Sequence, residues 1–100
     1  MKIRPAAVAG LFYKDDPASL REDVSELLAR VEPGQHPPPR ALIVPHAGYI
    51  YSGSTPAQAY ARLRTLRKKI RRILLFGTAH RVYLQGMAVP GAQAFNTPLG

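Results

Sequence analysis

Two unbroken apolar runs, Ala41–Val44 and Ile73–Phe76, each lead into a loop that carries a histidine, and the segment between them reads as a helix. No other feature of the chain restricts the fold as much. Continuous Ala-Leu-Ile-Val and Ile-Leu-Leu-Phe runs suit central parallel strands covered on both faces, because a half-exposed strand would alternate with polar residues. The intervening "STPAQAYARLRTLRKK", from Ser54 to Lys69, supplies a crossover helix. Ser54 or Thr55 is its expected cap, Pro56 lies in the first turn, and Ala59, Leu63 and Leu66 are expected to face inward with Tyr60. Strand, helix and strand in this order form a βαβ unit, right-handed when the strands are parallel. The expected fold class is α/β, with Met87–Val89 as a third strand.

Upstream, "DDPASLREDVSELLARVEPG" reads as an amphipathic helix. Asp16 is its N-cap, Pro17 its first helical residue, and Leu20, Val24, Leu27, Leu28 and Val31 its apolar stripe. Pro33-Gly34 stops it, and "GQHPPPR" follows as a stiff connector whose prolines cannot donate to a ladder. His36 in that connector reads as an exposed loop residue.

A chain of 100 residues supports one domain with a modest core. With no cysteine it has no disulfide, thiolate ligand or thiol nucleophile. No apolar run approaches the length of a membrane span, and "MKIRPAAVAGLFY" lacks a signal-peptide pattern, so no membrane association and a cytoplasmic location are expected. The net charge of +8 is unevenly placed: all 6 acids lie between Asp15 and Glu32. Arg62, Arg64, Arg67, Lys68, Lys69, Arg71 and Arg72 form a basic stretch. It reads as a solvated helix end complementing the dipole. Nucleic acid is the weaker reading, since no aromatic platform or recognised motif accompanies the cations.

Ligands of open α/β sheets bind beyond the carboxyl ends of the strands. His46 and His80 both stand there, each a few residues past an apolar run. Neighbouring strands lie ~4.8 Å apart, so the two imidazoles can converge on one metal ion. Tyr49, Tyr51 and Ser52 follow His46 and can position substrate or move a proton, while Arg81 follows His80 and can hold an anionic group. No local metal signature such as His-Glu-x-x-His is present.

The segments "RPAAVAGLFYKDDPASL", "ALIVPHAGYIYSG", "ILLFGTAHR" and "AFNTPLG" together resemble the N-terminal part of the Memo family, also called AmmeMemoRadiSam system protein B. The resemblance covers nearly the whole chain, and "PHAGYIYSG" is its most specific segment. It implies a three-layer α/β/α sandwich of the extradiol-dioxygenase-like type around a non-haem metal site, present here as the N-terminal part. It also implies that His46 and His80, in the PHAGY and G-x-x-H motifs, are metal ligands. The chain departs from the family in three ways. Lys14 stands where a proline is usual, "GTAHR" replaces Gly-Pro-Ser-His, and family members run to well over twice this length. A further acid and a late cysteine of the family site have no counterpart in these residues. Residues 1–100 are thus expected to be the N-terminal part of a single Memo-like α/β domain that continues past Gly100.

Three functions compete on this reading. The first is a metal-dependent oxidoreductase of the dioxygenase type. His46 and His80 hold a divalent metal, with iron first and copper or zinc as alternatives, Tyr49 takes part in catalysis, and Tyr51, Ser52 and Arg81 line the pocket. These residues alone are expected to be inactive, for want of a third ligand. The second is a non-catalytic pocket protein that binds an anionic peptide or small molecule, accessory to a radical-SAM-associated system. Nucleic-acid binding through the basic stretch ranks last.

Overall fold

The computed structural model describes all 100 residues, Met1 to Gly100. Its regular elements are β1 (Ile3–Arg4), α1 (Pro17–Ala29), α2 (Tyr49–Ser52), α3 (Ser54–Tyr60), a 3-10 helix (Ala61–Leu66) and β2 (Ala94–Phe95). The result is a small mixed α/β arrangement with few strands.

Helix α1 forms where local chemistry requires it. Asp16 has an extended backbone, and its carboxylate accepts a hydrogen bond from the Ser19 N–H at 2.8 Å, satisfying one of the free donors of the first turn. Pro17 occupies the first turn, where its missing N–H costs nothing. The apolar stripe turns inward: Leu20 and Val31 are buried and Val24, Leu27 and Leu28 are half-buried.

The second helical stretch differs from expectation in phase and form. The chain is already helical from Tyr49, and Gly53, with φ −56° and ψ −35°, carries α2 straight into α3. Neither Ser54 nor Thr55 therefore acts as a cap, because no first turn is open there. The face against α1 is Gly53, Ala57 and Ala61, all buried, rather than Ala59 with Tyr60. Val31, Ala57 and Ala61 form a cluster with Leu27 and Leu28 packed on it. Beyond Ala61 the coil tightens to 3-10 geometry. Arg64, Arg67 and Lys68 there repeat like charge at spacings of three and four, which disfavours a continued α-helix.

The expected βαβ unit does not form as a hydrogen-bonded sheet. Ala41–Val44, Ile73–Phe76 and Met87–Val89 carry no ladder, and the only sheet is the parallel pair β1–β2, with Ile3 opposite Ala94 and Arg4 opposite Phe95. The Gln93 N–H donates to the Lys2 carbonyl at 2.9 Å and the Asn96 N–H to that of Arg4 at 2.8 Å, closing the two ends of the chain on each other. The first apolar run is covered on one side alone. Leu42 and Val44 are half-buried while Ala41 and Ile43 are exposed, the alternation of a strand with one face against helices. Ile73–Phe76 is exposed throughout. An apolar run specifies burial, but a ladder needs a second strand within reach, and neither run has one.

The accessible surface of 9253 Å² measures the consequence. A compact protein of 11.0 kDa exposes about 5,600 Å². Much apolar surface is thus uncovered, and the buried cluster between α1 and α3 holds most of the packing.

Two outcomes follow. Leu20→Ala should remove about 2–5 kcal/mol, more than so small a core can lose, and abolish the thermal transition in far-ultraviolet circular dichroism. The Ser19 N–H, with a smaller contribution from the Ser19 hydroxyl, holds the Asp16 carboxyl below its ordinary value. Its capping contribution is therefore complete above the unfolded-state value and is lost as pH falls through the lower folded one. Helicity of the wild type should decline across that acid window, and Asp16→Ala should start lower and lack this step.

Candidate functional site

The loop after the first apolar run is mounted on the N-terminal turn. The Tyr49 N–H donates to the Phe12 carbonyl at 2.8 Å. Gly48 makes the approach possible, since a Cβ there would lie 3.4 Å from both the Cα and the carbonyl oxygen of Phe12. The Tyr13 and Tyr49 rings sit beside each other, with centroids 5.8 Å apart. Gly53 lets this unit meet α1: a Cβ would stand 2.8 Å from the Tyr49 carbonyl and 3.1 Å from Leu27 Cδ1. The Ser52 hydroxyl donates to the Ala47 carbonyl at 2.9 Å, with the Gly48 carbonyl further off at 3.5 Å.

The two histidines singled out by the sequence come together. His46 Nε2 and His80 Nε2 are 3.1 Å apart, with ring centroids separated by 5.0 Å and planes tilted by 42°. Both side chains are exposed. One chemistry open to such a pair is an N–H···N hydrogen bond between neutral rings. Another is shared coordination: two nitrogens each ~2.0–2.2 Å from one ion and at about a right angle stand roughly 3 Å apart. No third histidine, cysteine or acid joins them. The acids of this chain all precede Pro33, on and around α1.

The remaining residues of interest divide by position. Tyr49 and Ser52 line an apolar cavity of about 550 Å³ together with His46, Tyr13, Tyr60 and the α1 stripe residues Val24, Leu27 and Leu28. Burial, with smaller contributions from Tyr13 and Tyr60, pushes the Tyr49 phenol above its ordinary value, so it stays protonated well past neutrality. Tyr51 and Arg81 are exposed, and neither lines this cavity. Phe12 and Tyr13 escaped the sequence reading. Phe12 acts through its backbone carbonyl, which no residue type advertises, and the available signal was the "LFY" that precedes the helix cap.

The chain matches the Memo family model, described as "Memo-like protein", over residues 4–100. It is 38% identical over 100 residues to a MEMO1 family protein of Aquifex aeolicus, an alignment covering 100% of this chain and 36% of that protein. Against the MEMO1 family protein MHO1 of Saccharomyces cerevisiae it is 35% identical, over 100% of this chain and 30% of the relative. Against mouse Protein MEMO1 it is 35% identical over 96% of this chain and 31% of the relative. The chain thus spans about a third of the length of the curated relatives it matches. No solved structure matches it. With its motifs, its matched span and these relatives in agreement, the chain belongs to the Memo family.

Proposed function

We propose that His46 and His80 hold a divalent metal ion, and that the complete domain is a metal-dependent oxidoreductase related in arrangement to non-haem dioxygenases. The single observation that carries this reading is the 3.1 Å separation of the two Nε2 atoms. It suits two ligands on adjacent positions of one ion. Solvent also favours the reading. Each exposed imidazole can satisfy its nitrogens with water, so a hydrogen bond between them contributes little to stability and gives small reason for their approach.

Both residues would coordinate as neutral imidazoles through Nε2. Iron is the first choice, with copper and zinc as alternatives. A bound iron would supply open positions at which dioxygen and an organic substrate meet. The residues of this chain then have distinct tasks. The Tyr49 phenol, protonated at neutral pH, can donate to a substrate oxygen at the cavity wall. Ser52 borders the same cavity, which gives an apolar substrate body room beside His46. Arg81, next to His80 in the chain and exposed, can attract an anionic group, and exposed Tyr51 can take part in positioning substrate.

The finer fold belongs to the same proposal. Residues 1–100 act as the N-terminal part of one Memo-like domain, a three-layer α/β/α sandwich in which the two apolar runs are sheet strands. Support comes from the alternating burial of Ala41–Val44 and the bare Ile73–Phe76 run, surfaces that a completed sheet and a second helical layer would cover.

Anaerobic Fe(II) titration tests the site. One ion per chain is expected, with His46→Ala and His80→Ala each weakening binding by more than about tenfold. Wild-type affinity in both variants would sink the metal reading. Binding of an anionic peptide that persists in chelator and weakens with Arg81→Ala would instead support a non-catalytic pocket.

A further inference from the structure

From Arg40 to Ala47 the backbone makes no hydrogen bond to other backbone groups. Ala41, Ile43, Pro45, His46 and Ala47 are exposed, so packing does little to hold them. A histidine at the end of such a segment would sweep a wide arc, yet its Nε2 stands 3.1 Å from that of His80. Something local must limit it. The bond from Tyr49 to Phe12 and the tight seat of Gly48 fix the chain two and three residues downstream of the histidine. One side chain reaches back across that point. The Ser52 hydroxyl, at the end of α2, donates to the Ala47 carbonyl at 2.9 Å, and no backbone N–H competes for that oxygen.

We infer that Ser52 is the positioning residue for His46: its hydroxyl holds the Ala47 carbonyl and thereby fixes the Ala47–Gly48 peptide plane, one residue beyond the histidine. The chemistry is specific. A serine hydroxyl has a single hydrogen, and of its two acceptors Ala47 is the nearer, Gly48 lying at 3.5 Å. The bond to Gly48 is the ordinary i−4 contact of a helical serine and would leave the histidine loop free. The bond to Ala47 spans five residues to a carbonyl outside the helix, so its effect falls on the loop. Ser52 itself is half-buried, while the Ala47 carbonyl it holds is on an exposed loop. In a metal site the partners that orient a ligand matter nearly as much as the ligand. The inference deepens the metal reading and rests on it for one of its two readouts.

The experiment compares Ser52→Ala, Ser52→Thr and Ser52→Val in the whole chain. Threonine and valine share a shape and differ in the hydroxyl, so their comparison stands even if the alanine variant folds poorly. The first readout needs no metal: the nuclear Overhauser contact between the His46 and His80 ring protons. It should persist in the wild type and in Ser52→Thr and disappear in Ser52→Ala and Ser52→Val, with α1 helicity unchanged. The second is Co(II) titration followed by visible absorption. The hydroxyl-free variants should bind about tenfold more weakly with an altered spectrum, and Ser52→Thr should stay within about twofold of wild type. A ring contact that survives in Ser52→Val overturns the inference. If instead Co(II) binding does not depend on His46 while the ring contact still follows the hydroxyl, the metal reading fails and the positioning role stands.

Discussion

Everything in this molecule depends on how closely α1 approaches the helical stretch that begins at Tyr49. Gly53, Ala57 and Ala61 recur every four residues and form one strip of small side chains. Into that strip α1 presses Leu27, Leu28 and Val31. Larger residues in the strip would push the helices apart, and the loop carrying His46 would move with α2. Two arginines lock the same contact from outside. Arg64 donates to the Leu28 carbonyl in the last turn of α1, which also accepts from the Val31 N–H at 3.2 Å, and Arg62 donates to the Pro37 carbonyl of the proline connector.

Those two bonds change the meaning of the basic stretch. All seven cations between Arg62 and Arg72 are exposed, as a solvated helix end requires. None pairs with a carboxylate: the two ion pairs of the chain, Lys14–Asp23 and Arg30–Glu26, involve α1 and its approach. Both pairs lie at the surface, where competing water leaves them little net effect. Arg62 and Arg64 are structural through carbonyl groups instead, which explains how a stretch without nearby acids is still tied to the rest of the chain.

Legibility in the sequence tracks the range of the forces involved. Helix α1 could be read from its cap, its proline and its stripe, because each acts within four residues. The phase of the second helix could not. Capping chemistry points to Ser54 or Thr55, whereas the helix starts earlier because Tyr49 is hydrogen-bonded to Phe12, a partner 37 residues away in the chain. That shift moves the buried face from Ala59 to Ala57 and Ala61. The apolar runs signal a need for burial but not the supply of neighbouring strands, so within residues 1–100 they carry no ladder and only Leu42 and Val44 of the first run are partly covered. At the site, the two histidines were visible by residue type. The backbone carbonyl of Phe12 was not.

The imidazoles thus meet without a ladder beneath them. His46 and His80 each follow an apolar run, yet the runs share no hydrogen bond that would set their relative register. Their convergence is held by loop anchors on the His46 side alone, and nothing comparable holds the His80 side, where Ile73 to Arg81 is exposed. An ion bound by both rings would add the missing constraint. It would close a loop between residues separated by 34 positions and restrict an unfolded chain that otherwise samples it freely. Ligands that bind only the folded arrangement lend it their binding free energy. For a chain with so few buried side chains, that coupling would reinforce a ring contact that the anchors of the His46 loop already favour.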